Sequence, residues 1–321
     1  MKALAIAAFL AGAAVLVWLV VHAGIPVLLQ ALSALGITGL LLVACAHLAV
    51  VALLGTAWWT IGRGRDRPGL TRFIWARAVR DASGEALPFS QVGGYVIGAR
   101  ALVLSGASAK WAGTSTLLDL ILEFVAKVPY VLLGLWLLAY LQPQLAQLSA
   151  AIAIAICTLV FLFALQQKPA GWAARTAATL FNRWPSVARL RSEAAVALRE
   201  MTARKAAMRT GTVIHLVCWA LGTGETWLIF WLMHRPVELG PAAVIDSLVG
   251  ALRAVSFFVP AALGVQEGGY VLLCGLFGLS PATALAFSLA RRARDLLLAI
   301  LVLASWQWAE GRAFLPGRFK S

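Results

Sequence analysis

Several stretches of eighteen or more residues in this chain carry no charged side chain. An apolar run of that length covers the roughly 30 Å hydrocarbon core of a bilayer as one helix. Backbone amides in hydrocarbon must find partners within the chain, so such runs fold as helices and pack as a bundle. Of the 321 residues, 61% are hydrophobic and 12% charged, against about 25% charged in an ordinary soluble domain. The fold class expected is an all-α polytopic membrane protein. A soluble enzyme, a disordered chain and a disulfide scaffold are excluded. Cys45, Cys157, Cys218 and Cys274 lie far apart in apolar segments, as buried small hydrophobes without metal or disulfide spacing.

Six full spans are expected near 3–21, 37–61, 112–140, 148–165, 211–233 and 281–310. The first is read as a span rather than a cleaved signal because its apolar run is long. Two further apolar stretches, 84–106 and 241–279, are broken by Pro and Gly. The net charge of +14 reports topology before it reports nucleic acid, because Lys and Arg stay on the cytoplasmic side. Arg63, Arg65, Arg67, Arg72, Arg77 and Arg80 fall in the 62–80 connection, and nine basic residues fall in 166–209. Residues 23–36 and 140–147 have none. Both termini, 62–80 and 166–209 are therefore expected in the cytoplasm. Parity then makes 84–106 a re-entrant hairpin from the cytoplasm, broken at Pro88 and Gly93-Gly94. Residues 241–279 either dip from outside, turning near Pro260, Gly264 and Gly268-Gly269, or form two ordinary spans.

An internal repeat is visible. Gln91-Val92-Gly93-Gly94-Tyr95-Val96 matches Gln266-Glu267-Gly268-Gly269-Tyr270-Val271 at five of six positions. His47-Leu48, Ala52-Leu53 and Trp59 recur 168 residues later as His215-Leu216, Ala220-Leu221 and Trp227. Asp119 lies 28 residues beyond Gln91, and Asp295 lies 29 beyond Gln266. The expected organisation is a first span (1–22), copy one (36–140), a span with a basic loop (141–209), copy two (210–310) and a tail (311–321). The copies start on opposite sides and are inverted, an architecture that places a substrate site where the repeats meet.

Ionisable groups at span depth cost at least about 2.5–3.5 kcal/mol each on insertion scales and need a reason. Asp119, Glu123 and Lys127 share one helix face, as do Arg291, Arg294 and Asp295 with Arg292 beside them. Glu123–Lys127 and Arg291–Asp295 are the expected pairs, leaving copy one acidic and copy two basic. Asp246, Arg253, Glu225 and Glu267 add charge near the second broken segment, and Arg100 lies at the exit of the first. One reading has the two excesses neutralise each other across the repeat axis. The other is a cavity, lined by Asp119 and Arg294 among others, in which guanidinium groups fork onto phosphate. His47 and His215 are expected to make a structural hydrogen bond within each copy. No nucleophile–base pair, metal-spaced His pair or phosphate-binding Gly loop occurs, so neither an enzyme nor a cofactor is expected.

Pro88 through Gly94 followed by Arg100, together with Phe257 through Pro260 and Gly264 through Tyr270, resembles the lysylphosphatidylglycerol synthase/flippase transmembrane-domain family. Gln266 through Tyr270 and the Arg291-Arg292-Ala293-Arg294-Asp295 run are most similar to its hopanoid-biosynthesis-associated members. The resemblance implies a multi-pass protein of the bacterial inner membrane that moves lipids with anionic or polar headgroups between leaflets; the alternative is a non-transporting membrane accessory of hopanoid or glycolipid synthesis. Lipid-synthesis enzymes are its implied partners, and nucleic acid is not. Two-domain members carry a C-terminal synthase that loads an amino acid onto phosphatidylglycerol. The sequence given shows no such domain, so aminoacylation is not expected. The candidate substrate-binding residues are Gln91, Gly93, Gly94, Arg100, Asp119, Glu123, Arg253, Gln266, Glu267, Gly268, Gly269, Arg291, Arg294 and Asp295.

Overall fold

A computed structural model describes residues 25–62, 67–86, 90–166, 203–256 and 259–314. The expected span at 3–21, Pro88, most of the 166–209 loop and the tail beyond 314 lie outside the described residues. Among the described residues the chain is all-helical. The helices are α1 (Ile25–Ile61), α2 (Leu70–Ala86), α3 (Ser90–Leu104), α4 (Ala109–Leu141), α5 (Ala146–Gln166), α6 (Lys205–Leu232), α7 (Leu239–Val255), α8 (Val265–Gly275) and α9 (Pro281–Phe314), with 3-10 turns at Pro143–Leu145 and Pro260–Ala262. Gly36, at φ 60° and ψ 176°, kinks α1.

Among the described residues, three helical stretches are long and apolar enough to cross a membrane: Leu35–Ile61, Ala109–Leu141 and Lys205–Leu232. Their outer faces show the apolar side chains a lipid-facing surface requires, including Ile37, Trp136 and Val217. Cys218 and Cys274 are buried, but Cys45 and Cys157 lie on such outward faces, which corrects the expectation that all four are buried. The 34 residues of α9 make a helix about 50 Å long, with Arg291–Asp295 near its middle.

The basic connection at 62–80 is not a loop throughout. From Leu70 it is helix α2, and Phe73, Ala76, Arg77, Val79, Arg80 and Ser83 form its buried stripe. Their spacing of three and four residues is helical, and two arginines stand in positions that otherwise take core residues. The first broken segment is thus a two-helix hairpin, α2 and α3, that begins at Leu70. Its glycine pair does not make the turn, since Gly93 and Gly94 lie inside α3. A Cβ on Gly94 would sit 2.6 Å from the Arg80 carbonyl oxygen, and one on Gly98 would sit 2.7 Å from the Arg80 Cβ. The next contacts are Gly84 for Gly94 and Ala76 for Gly98, so partner positions fall along α2 as the index rises along α3, and the limbs are antiparallel and touch through glycine.

The second segment repeats this plan. Helix α7 ends at Val255 and α8 begins at Val265. Between them Ala261, Ala262 and Gly264 take positive φ angles of 52°, 48° and 76°. Gly268 and Gly269 again lie inside the second limb, where a Gly269 Cβ would come within 2.8 Å of Leu252 on α7. At 11 residues α8 is about 17 Å long, half the depth of a hydrocarbon core. Helix α8 alone is therefore too short to cross that core.

The succession long, short, short, long therefore occurs twice, as α1–α4 and α6–α9. One apolar core gathers Leu35, Val43, Phe230, Val249, Tyr270 and Phe287. The other gathers Trp58, Ile61, Phe73, Leu102, Leu118 and Leu122, with Met208, Val302 and Trp306 against it. Helices α1 and α9 run from the first core to the second, and α6 runs the opposite way. Between the cores, at mid-length of these helices, lie the charged residues.

Two outcomes are expected. In a background with all four cysteines replaced, Thr71→Cys and Ala109→Cys flank one hairpin and should react with an impermeant thiol reagent from the same side of the membrane. Labelling from opposite sides would remove the hairpin. Gly94→Ala should destabilise the detergent-solubilised protein by about 1–3 kcal/mol, because the clash is with backbone. Gly268→Ala, whose Cβ meets nothing within 4 Å, should leave the unfolding midpoint unchanged or raised.

Candidate functional site

The two arginines that α2 carries on its buried face reach α4. Arg80 donates to Asp119 at 2.6 Å and also to Glu123. Arg77 donates to Glu123 at 3.2 and 3.3 Å, to Asp119 at 3.4 Å, and to Asp81 one turn along its own helix at 2.8 Å. A three-residue spacing on α2 thus faces a four-residue spacing on α4, so two guanidinium forks meet two carboxylates. Asp119 is fully buried, and its other oxygen lies 3.1 Å from His215 Nε2 on α6. The stacked face of Tyr95, on α3, covers the Arg80 guanidinium at 4.3 Å.

Copy two builds its own network. Arg291 on α9 donates to Asp246 on α7 at 2.7 Å. Asp246 also accepts from Thr226 at 3.1 Å and from the Tyr130 hydroxyl at 2.8 Å. Arg294 pairs with Glu225 on α6 and with Asp295 at 2.6 Å. His47 on α1 lies 2.9 Å from Glu225. Arg253, near the end of α7, pairs with Glu85, near the end of α2, and so ties the two hairpins together.

These contacts correct several expectations. Glu123 is held by Arg77 and Arg80 rather than by Lys127, whose ammonium donates to the Gly250 carbonyl at 3.1 Å. Arg291 pairs with Asp246 rather than with Asp295. Copy one is not left acidic, because the arginines expected in a cytoplasmic loop neutralise it. His47 and His215 do not bond within their copies: each reaches a carboxylate of the other copy. The physical reason is shared. Partners at helical spacing in sequence lie along one face, whereas a buried charge is best served by a group projecting from the facing helix.

A cavity of about 250 Å³ opens between the two halves, and six basic and six carboxylate side chains line it. Of the candidate residues, Glu123, Arg253, Arg291, Arg294 and Asp295 line it. Asp119 does not, being sealed behind Arg77 and Arg80. Arg100 is exposed on the outer surface and pairs with Glu310 at 2.7 Å. Gln91 and Gly93 lie in the first turn of α3, and Gly94, Gly268 and Gly269 lie in the hairpin limbs, where Gly94 and Gly269 make the limb contacts. Gln266 donates to Ser288 at 3.3 Å. Glu267 accepts from the Gly264 backbone N–H at 2.7 Å, from Ser288 at 3.2 Å and from Arg292 at 2.7 Å, so it fastens the start of α8 to α9. Arg77, Arg80, Asp81, Glu85, Tyr95, Lys127, Trp219, Glu225 and Asp246 line the cavity but are not among the candidates drawn from the sequence. The buried periodicity of 70–86 is the signal that finds the arginines among them.

Such a site offers fixed charges of both signs at the middle of the helices, in mutually satisfied pairs that a dipolar or ionic group can enter only by exchange. Neither a curated protein nor a solved structure matches the chain. Residues 3–302, nearly the whole sequence, match the transmembrane region of lysylphosphatidylglycerol synthase. With its apolar helices, paired hairpins and buried charges, this membrane protein belongs to the lysylphosphatidylglycerol synthase transmembrane-region family.

Proposed function

We propose that the protein is a lipid transporter of the bacterial inner membrane, which carries a lipid headgroup between leaflets through the charged cavity and performs no covalent chemistry. The observation that carries this reading is the cavity itself: a charge-balanced space between two apolar cores, walled by both sets of helices. Short broken helices beside a mid-depth site are the working parts of alternating-access carriers. The opposite directions of α1 and α6 between the two cores support an inverted repeat, with six spans once 3–21 is counted. Both termini then lie in the cytoplasm. The family match supports a lipid as cargo, and the similarity of Gln266–Tyr270 and Arg291–Asp295 to hopanoid-associated members supports a place beside hopanoid biosynthesis and its enzymes.

Transport would proceed by exchange. A headgroup reaching the cavity meets ion pairs that are partly solvated, among them Glu85 and Arg253, whose side chains are 27% and 17% exposed. Replacing a pair by two contacts to the headgroup keeps every charge matched, so the barrier stays far below that of a bare ion in hydrocarbon.

The test uses purified protein in liposomes with a tail-labelled fluorescent phospholipid and an impermeant bleaching agent outside. Wild-type protein should render the inner-leaflet label bleachable; no more bleaching than in protein-free liposomes would sink the transporter reading. The double change Glu85→Gln with Arg253→Gln leaves no unmatched charge, so it should fold and slow lipid movement by about tenfold or more, the loss of one charge-assisted contact. Full activity in that variant would move the route away from the cavity. Asp119→Ala should behave differently. It strips a sealed carboxylate from Arg77, Arg80 and His215, which costs about 3–5 kcal/mol, and should show as lost assembly on size-exclusion chromatography.

A further inference from the structure

Five of the six cations lining the cavity have a carboxylate partner: Arg77, Arg80, Arg253, Arg291 and Arg294. Among the described residues Lys127 has none. Its ammonium uses one donor on the Gly250 carbonyl at 3.1 Å and lies over the Trp219 ring at 4.4 Å. An ammonium has three donors, so two remain. A neutral carbonyl and a ring face do not cancel a positive charge held at the middle of a membrane helix.

Two more donors at the same wall lack partners. The indole N–H of Trp219 and Nε of Arg291 are both buried and bonded to nothing. A buried donor left unsatisfied costs about 1–3 kcal/mol, so two such donors among the residues that line the cavity with Lys127 favour an acceptor there. The three groups are held in one frame. Trp219 stacks on Tyr130 with ring centres 5.9 Å apart, the Tyr130 hydroxyl bonds Asp246, and Asp246 bonds Arg291.

Resting on the transporter reading, we infer that Lys127, with Trp219 and Arg291, forms an anion subsite in the cavity that receives a phosphate-type oxyanion. The cargo therefore bears a phosphodiester or phosphomonoester, and a wholly uncharged lipid is not carried. The surrounding carboxylates are engaged by guanidinium groups and serve a cationic or hydroxyl part of the same headgroup.

Binding is measured apart from movement. Purified full-length protein in a non-ionic detergent is titrated with phosphatidylglycerol and with uncharged diacylglycerol of the same acyl chains, and retained lipid is counted by native mass spectrometry. Inorganic phosphate is the competitor. Phosphatidylglycerol should be retained and diacylglycerol not. Lys127→Gln keeps a donor for Gly250 but removes the charge, and should weaken retention about tenfold; Lys127→Arg should restore it. Trp219→Phe keeps the stack on Tyr130 and should produce a smaller loss. Equal retention of both lipids, or undiminished retention by Lys127→Gln, overturns the subsite. Displacement by inorganic phosphate at concentrations below the lipid's supports the subsite and assigns it to a soluble phosphate. Retention with a Lys127 dependence but no transbilayer movement in liposomes would reject the transporter reading and leave the subsite standing.

Discussion

A carboxylate cannot be left bare in hydrocarbon, and Asp119 is the residue on which that constraint falls hardest. It is fully buried at the junction of α2, α4 and α6, and two arginines and a histidine meet it there. Those arginines come from α2, whose long side chains reach Asp119 and Glu123 on α4. The position of the first hairpin, the burial of its basic face and the contact between halves through His215 all follow from matching this charge. Breaking a matched buried pair costs far more than the pair contributes net, so the network fixes which helices are neighbours more than it raises stability.

The hairpins solve a second problem, that of bringing short helices to membrane depth without exposing backbone. Each limb pair closes through a glycine, with Gly94 against the Arg80 carbonyl and Gly269 against Leu252. Small residues let backbones approach where lipid offers no hydrophobic gain from association. At the open end of α8, Glu267 takes the orphan N–H of Gly264 and bonds Ser288 and Arg292 on the neighbouring long helix. The Gln-Glu-Gly-Gly-Tyr stretch is thus a fastening. Gln266 and Glu267 hold the break, Gly269 closes the limbs, and Tyr270 alone touches both the apolar core and the cavity wall.

Between these fastened elements the cavity collects charges that are matched but not sealed. The contrast between Asp119, with three donors and no exposure, and the Glu85–Arg253 pair, partly exposed between the two hairpins, separates groups that hold the bundle from groups free to exchange. Lys127 stands outside both classes because, among the described residues that line the cavity, it is the cation with no carboxylate at ion-pair distance. The charges thus range from sealed to partly exposed to unpaired, the gradation that the proposed carrier would use.

Hydrophobic runs and their breaks were legible in the sequence because span length and glycine–proline punctuation are local properties. So was the recurrence of the Gln-Gly-Gly-Tyr motif and of the paired histidines. The same local reading placed Arg77 and Arg80 in a cytoplasmic loop, since a count of basic residues does not see that Phe73, Ala76, Val79 and Ser83 put them on the buried face of a helix. It also paired Glu123 with Lys127 and Arg291 with Asp295 because those residues are four apart. Which charges meet is decided by how the helices assemble, and that depends on contacts between residues 25 to 178 positions apart. Sequence alone determined that this chain is a helical membrane protein with interrupted helices and buried charge. Only the tertiary structure decided who neutralises whom, because the free energy of a buried ion is set by the groups surrounding it in space.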